Sequence, residues 1–165
     1  MENVVHGIVG ALLGRVPRWV IILIVSMIPI LELRGSILAA GFMDVEFLPT
    51  YIAAVIGNMI PIPFILMFIT KIFDWMKKGE KLGKLARKLE EKAISKSEGI
   101  KKYGKFGLFL FVAIPLPGTG AWTGSLAAVL LGFKPREAFV PILLGVMTAG
   151  LVMSLIAFGL IRAII

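Results

Sequence analysis

The stretch that decides the fold is FGLFLFVAIPLPGTGAWTGSLAAVLLGF, residues 106–133. Its two ends are apolar, but its middle, PLPGTGAWTG, contains prolines and glycines, which interrupt helices. Each apolar arm, residues 106–114 and 125–133, has nine residues. Because a helix rises about 1.5 Å per residue, each arm spans about half of a hydrocarbon core of about 30 Å. The stretch therefore predicts a re-entrant hairpin over residues 106–134, with its turn at mid-depth.

A second broken stretch, WVIILIVSMIPILELRGSILAAGF at residues 19–42, has the same order of motifs. Both stretches contain Ile-Pro, then Gly-Ser, then Gly-Phe, and VIGNM at 55–59 is similar to LLGVM at 143–147. Internal repeats are a recurring feature of transporters. We therefore predict a first re-entrant hairpin over residues 17–48 and an all-α inverted repeat, in which each hairpin is followed by a transmembrane helix.

The composition indicates an integral membrane protein. Hydrophobic residues make up 58% of the 165 positions and the mean hydropathy is +0.95, which exceeds what one soluble core of this size can bury. Residues 49–72 and 135–165 are long enough to span the membrane, whereas residues 1–16 predict only a short interfacial helix. The chain has no cysteine and its single histidine is His6, so we expect no metal site, no cofactor and no enzymatic activity.

The segment between the two halves, residues 73–105, is strongly basic. From position 71 to 105 there are twelve Lys or Arg residues against five acidic ones, a net charge of +7. The positive-inside rule places this segment in the cytoplasm of a plasma-membrane protein, and its charge does not indicate a nucleic-acid partner. Leu82, Leu85 and Leu89 recur at helical spacing. The segment is therefore an amphipathic helix on anionic lipid or against a partner protomer, or a solvated helical linker.

Charges at the chain's other loops leave two topologies open. Hairpins place Lys134 and Arg136 on the same side as the basic segment, whereas full crossings would place them outside. The hairpin topology leaves Arg15, Arg18 and Arg162 outside, against the rule. Insertion in both orientations, as an antiparallel dimer, would remove this conflict. A homodimer is expected in any case, because two full crossings are too few to enclose a pathway.

Turn backbone inside a membrane must face protein or a water-filled cavity, since lipid offers no hydrogen bonds. The predicted break residues are Pro29, Gly35, Pro115, Pro117, Gly118, Gly120 and Gly124. Polar side chains of the second hairpin are candidates for substrate binding, and they are Thr119, Trp122, Thr123 and Ser125. Together these features predict a polar cavity at mid-depth.

Glu32 and Arg34 are the most informative charges, because each ionised group this deep costs at least about 2.5 kcal/mol unless it is paired or hydrated. We place both in a non-helical turn from Pro29 to Gly35. Glu32 would carry protons, and Arg34 would hold Glu32 or bind a phosphate or carboxylate of a substrate. The alternative is an ion pair that only locks one hairpin against the other.

Asn58 lies in the apolar run 49–72 and is followed by Pro-Ile-Pro at 61–63, which predicts a kinked helix. Its amide would either bind substrate or satisfy unpaired backbone of the first hairpin. Both roles remain open from the sequence.

The stretches IPILELRGSILAAGF and KYGKFGLFLFVAIPLPGTGAWTGSLAAVLLGF resemble the small multidrug export family, a distant relative of the DedA and VTT membrane proteins. The resemblance implies two re-entrant hairpins that face each other and a role in moving amphipathic molecules. It also implies that Glu32 corresponds to the acidic residue of the first DedA hairpin. The arginines of the second DedA hairpin are absent, because Ala113 and Thr119 or its neighbours stand at those places.

These observations predict a small transporter or flippase for a drug-like molecule or a lipid, with Glu32 coupling movement to protons. The alternative is a non-transporting protein that organises the membrane or recruits a partner through the basic segment. An ion channel is a third class, but the sequence contains no recognisable selectivity filter.

Overall fold

The computed structural model describes residues 17–43, 45–116 and 118–161, and this part of the chain is helical with no strand. The predicted interfacial helix at 1–16 and Pro117 lie outside the described residues. The helices are α1 (Arg18–Ser26), α2 (Glu32–Gly41), α3 (Phe47–Met59), α4 (Ile62–Met76), α5 (Glu80–Ser95), α6 (Glu98–Ala113), α7 (Ala121–Leu130), α8 (Pro135–Ser154) and a π-helical segment, Leu155–Ile161.

Among the residues that the structure describes, two helical stretches are long and apolar enough to cross a membrane, Phe47–Met76 and Pro135–Gly159. The first is interrupted between α3 and α4 at Ile60 and Pro61, the place where the sequence predicted a kink. Pro61 has no N–H group and cannot continue the hydrogen-bond ladder of α3. Many large apolar side chains are exposed along both stretches, as expected for surfaces that contact lipid.

The described residues form two compact units, one within Met1–Ile60 and Ala149–Ile165 and the other within Pro61–Thr148. In the first unit, α1 and α2 pack against each other, and α3 packs against both. Ile21, Ile22 and Val25 supply the buried face of α1, and Leu33 and Ile37 supply that of α2. The π-helical segment packs against α2 and completes this unit.

The first turn is shorter than the sequence predicted. The prediction placed Glu32, Arg34 and Gly35 in a non-helical turn, but α2 begins at Glu32. The N–H of Glu32 donates to the Ile28 carbonyl at 2.9 Å, and the N–H of Gly35 donates to the Leu31 carbonyl at 2.8 Å. Helical hydrogen bonds therefore resume soon after Pro29, and the prediction was wrong for Arg34 and Gly35. Glu32 itself keeps a non-helical backbone, with a φ of 49°.

In the second unit, α7 packs against α4, α5 and α6. Gly124, predicted in the turn, lies inside α7, because the helix begins at Ala121 and the Gly124 N–H donates to the Gly120 carbonyl at 2.8 Å. A Cβ at Gly124 would lie 2.8 Å from Val112 Cγ2. The glycine therefore permits close packing of α7 on α6, and the prediction that it breaks the helix was wrong.

The α6 element reverses direction at Gly104, whose φ of 58° and ψ of −130° are not helical. A Cβ on Gly107 would overlap the carbonyl oxygen of Gly99, although a straight helix would separate these residues by about 12 Å. Residues 98–103 thus fold back against residues 105–113. The second half, nine residues long, corresponds closely to the first arm predicted for the second hairpin.

Candidate functional site

Glu32 has an unusual backbone conformation. Among the described residues other than glycine, only Glu32 has a positive φ, at 49°. This left-handed conformation costs about 1–2 kcal/mol for a residue with a Cβ. The residue is also buried, with only 6% of its surface exposed. Strain at a buried acidic residue in an apolar unit is typical of a functional position.

Arg34 is half-buried on the first turn of α2 and interacts electrostatically with Glu32. Both residues belong to the first unit, so the two charges compensate each other within a single hairpin. The buried cluster continues with Ser26, which donates to the Ile22 carbonyl at 2.8 Å, and with Ser36, whose hydroxyl lies 2.5 Å from that of Ser26. This pair of hydroxyl groups joins α1 to α2.

Asn58 differs from these satisfied groups. Its side chain is fully buried, and neither Oδ1 nor Nδ2 has a hydrogen-bond partner in the structure. The sequence left open whether this amide satisfies the backbone of the first hairpin, and the structure shows that it does not. Burying an amide without a partner costs about 1–3 kcal/mol by mutational measurements. In the same unit, the buried hydroxyl of Ser154 also lacks a partner, directly before the π-helical segment.

The candidates of the second hairpin lie together around the start of α7. Thr119 Oγ1 is 2.9 Å from the Ile114 carbonyl oxygen and 2.8 Å from that of Leu116, so its hydroxyl closes the turn. Ser125 is buried and donates to the Ala121 carbonyl at 2.6 Å.

Trp122 and Thr123 are half-buried on the first turn of α7. The turn before them requires glycine, because Gly118 has a φ of 80° and Gly120 a φ of 140°. Pro115 also lies in this turn. The predicted residues of the second hairpin are therefore close in the chain and in space, within the second unit alone.

A lysine that the sequence analysis missed lies at the same turn. A Cβ built on Gly118 would overlap Nζ of Lys96 and would lie 3.9 Å from Cε of Lys92. Both lysines belong to the basic segment, and α5 packs against α7 and α4. The basic segment is therefore part of the second unit rather than a separate linker. Its lysines bring positive charge to the turn before α7.

Matching positions of the two halves make matching contacts. Gly57 and Gly145 are the central residues of VIGNM and LLGVM. A Cβ on Gly57 would overlap the carbonyl oxygen of Leu23, and a Cβ on Gly145 would lie 2.9 Å from that of Phe109. Leu23 and Phe109 each stand six positions before the proline of their own hairpin. Each unit thus packs the helix after its hairpin against the hairpin's first arm at a glycine.

No group of three or more His, Cys, Asp or Glu side chains suited to a metal ion occurs in the part of the chain that the structure describes. The polar groups of the first unit are instead a buried acid, a half-buried guanidinium, and buried hydroxyls and an amide. Such groups can bind polar parts of an organic molecule or exchange a proton.

The described residues are all helical and include two stretches long and apolar enough to cross a membrane, and the whole chain has a mean hydropathy of +0.95. These features are typical of small integral membrane proteins. The family described as "Putative small multi-drug export protein" matches residues 32–152, which is most of the chain. The chain therefore belongs to this family, as the sequence motifs indicated. No curated protein and no solved structure matches the chain significantly. The more distant relationship to DedA and VTT proteins stays a prediction.

Proposed function

We propose that this protein is a small secondary transporter of the plasma membrane that moves amphipathic molecules, and that Glu32 couples this movement to protons. The observation that carries the proposal is the Asn58 amide, which is fully buried without a hydrogen-bond partner. Buried polar groups in proteins are nearly always hydrogen-bonded, so an exception calls for a ligand, a water molecule or a role in function. The family to which the chain belongs supports export as the direction.

The amide restricts what its ligand can be. Asn58 offers both an acceptor, Oδ1, and a donor, Nδ2, and both lack a partner. A ligand with one polar end that both donates and accepts, such as an amide, an alcohol or a protonated acid, would satisfy the two atoms together. Other buried residues of the same helix, Ala53, Ala54 and Gly57, are small, and they would leave room for the apolar part of an amphipathic molecule.

Glu32 and Arg34 supply the charge in this proposal. The carboxylate of Glu32 is buried and interacts with Arg34, so its proton affinity depends on where the guanidinium lies. Substrate with an anionic head would draw Arg34 away from Glu32 and favour protonation of the carboxylate. Substrate and proton would thus be linked through the same pair of residues.

The test is transport in proteoliposomes under an imposed pH gradient, with two probes: the lipophilic cation ethidium and a fluorescent phosphatidylglycerol. Wild-type protein should move at least one probe faster with the gradient than without it. Glu32→Gln should lose this acceleration, while Glu46→Gln, which changes an exposed carboxylate of the same unit, should keep it. Equal acceleration in the Glu32→Gln and wild-type proteins would rule out proton coupling through this residue.

A second candidate function is supported by the exposed leucines of the basic segment, Leu82, Leu85 and Leu89. In this function the protein organises the membrane or recruits a partner and does not transport. Replacing the exposed lysines of α5 with glutamine separates the two functions. Loss of cellular activity with transport intact would favour the organising role, and the reverse would favour the transporter.

Several further properties belong to the same proposal. The basic segment is placed in the cytoplasm by the positive-inside rule, and the two hairpins are re-entrant. The protein acts as a homodimer, because two spans are too few to enclose a pathway. The candidates of the second unit, Thr119, Trp122, Thr123 and Ser125, remain predicted contacts to substrate.

A further inference from the structure

Helix α5 is packed into the second unit by its smallest side chains. Gly83, Ala86 and Ala93 are buried, and α5 contacts α4 and α7. Small residues let helix backbones approach closely and are the usual interface residues of membrane helices. The face that α5 turns towards its own protein is therefore lined by glycine and alanine.

The large apolar side chains of α5 lie outside this interface. Leu82, Leu85 and Leu89 are 45%, 49% and 40% exposed. At 100° per residue they occupy an arc of about 60° on the helix surface, next to the buried face. A helix of this composition is too polar to span a membrane. The three leucines must therefore be shielded from water by something other than the hydrocarbon core.

The charges of α5 are sorted around this stripe. On the helix circumference the exposed residues Lys84, Lys88 and Lys92 follow the leucines on the side away from the buried face. The three acidic residues lie elsewhere. Glu80 and Glu91 are on the opposite side of the helix, and Glu90 forms an ion pair with Lys77 at 2.7 Å. The outward surface therefore combines an apolar stripe with uncompensated positive charge.

We propose that this face of α5, defined by Leu82, Leu85 and Leu89 with Lys88 and Lys92, docks on an anionic lipid surface. The leucines would lie at the boundary of the acyl chains and the lysines among the phosphates, as in interfacial amphipathic helices. A second copy of this chain is a poorer occupant. A two-fold contact would bring like-charged lysines together, because no carboxylate lies on this face to oppose them.

Docking would also have a consequence for the second hairpin. Lys92 and Lys96 lie at Gly118, in the turn before α7. If α5 lies at the headgroup layer, this turn is within the length of one lysine side chain of that layer. The turn would then be shallower than the predicted mid-depth position.

The chain contains no cysteine, so single cysteines can be introduced and spin-labelled in the full-length protein. We would label Leu85→Cys on the docking face and Glu91→Cys on the opposite side. Reconstitution uses vesicles of phosphatidylcholine with and without phosphatidylglycerol. Collision rates with oxygen, which concentrates in lipid, and with a water-soluble nickel complex then report the surroundings of each label.

In vesicles that contain phosphatidylglycerol, the label at position 85 should collide with oxygen more often, and with nickel several-fold less often, than the label at 91. Each lysine near an anionic surface contributes about fivefold to membrane partitioning, so Lys88→Gln with Lys92→Gln should reduce docking by about 25-fold. Labels at positions 82 and 89 should behave like the label at 85, which keeps the test independent of one substitution.

Two results would overturn the inference. Equal nickel accessibility at positions 85 and 91 would show that the leucine stripe faces water. Spin–spin broadening at 85 that disappears on dilution with unlabelled protein would show that a second copy covers the stripe. Neither result depends on transport, so this experiment tests the inference independently of the proposed function.

Discussion

Replacing Asn58 with leucine should make the protein more stable and, at the same time, inactive. Leucine has the same branching as asparagine and carries no polar atom. The substitution removes an amide whose burial without a partner costs about 1–3 kcal/mol. At about 2–4 °C per kcal/mol for a chain of this length, the Tm should rise by several degrees. Transport should fall to the background of empty vesicles, because the proposed ligand loses both of its hydrogen bonds.

The control for this prediction is Ser26→Ala in the same unit. Its hydroxyl is also buried, but it donates to the Ile22 carbonyl at 2.8 Å and contacts Ser36. Removing a satisfied group should cost about 1 kcal/mol. Both variants are compared by thermal unfolding in detergent and by transport in proteoliposomes, and Asn58→Ala serves as a smaller replacement that cannot overpack. If both Asn58 variants are less stable than Ser26→Ala, the amide is a structural group and the reasoning fails.

Four further substitutions test the packing. Gly57→Ala and Gly145→Ala should each lower the free energy of unfolding by about 1–3 kcal/mol, because backbone must move to admit the Cβ. At Gly99 a Cβ meets open space, so Gly99→Ala should raise the free energy of unfolding by about 0.5–1 kcal/mol. Equal effects at Gly57, Gly145 and Gly99 would contradict the close contacts. Gly118→Ala should cost about 1–2 kcal/mol through its φ of 80°, as measured by thermal unfolding, and an unchanged Tm would refute that conformation.

The helix breaks could be predicted from local chemistry. Proline lacks an amide hydrogen, so Pro29, Pro61 and Pro115 were candidates for interruptions, and the helices break near all three. The rule is not absolute, because Pro141 lies inside α8. Apolar run lengths likewise predicted the two stretches that are long enough to span a membrane. The boundaries after each break were less accurate, because a glycine such as Gly35 or Gly124 permits both a turn and a close helix contact.

The sequence provides candidate residues for a site but not their arrangement. Glu32 and Asn58 stand out in the sequence because charged and amide groups are costly in an apolar run. The missing partner of Asn58 depends on how α3 packs against α1 and α2, which no local pattern contains. Lys96 and Gly118 are 22 positions apart and come into contact only because α5 packs on α7. The spacing of residues in the sequence could not predict this contact.

The internal repeat stays a prediction, and the glycine contacts are the observation that favours it. A close helix crossing needs glycine at one position, and Gly57 and Gly145 each stand at such a crossing. Both glycines lie in the short motifs that the two halves of the sequence share.

The most direct measurement for the central claim is proton exchange on substrate binding, made with purified protein in weakly buffered detergent. Addition of the active probe should change the pH for the wild-type protein, because the probe and the proton compete or cooperate at Glu32. Glu32→Gln should bind the probe without a pH change, and Asn58→Leu should show neither binding nor a pH change. A pH change in Glu32→Gln as large as in the wild-type protein would contradict the assignment of proton coupling to the first unit.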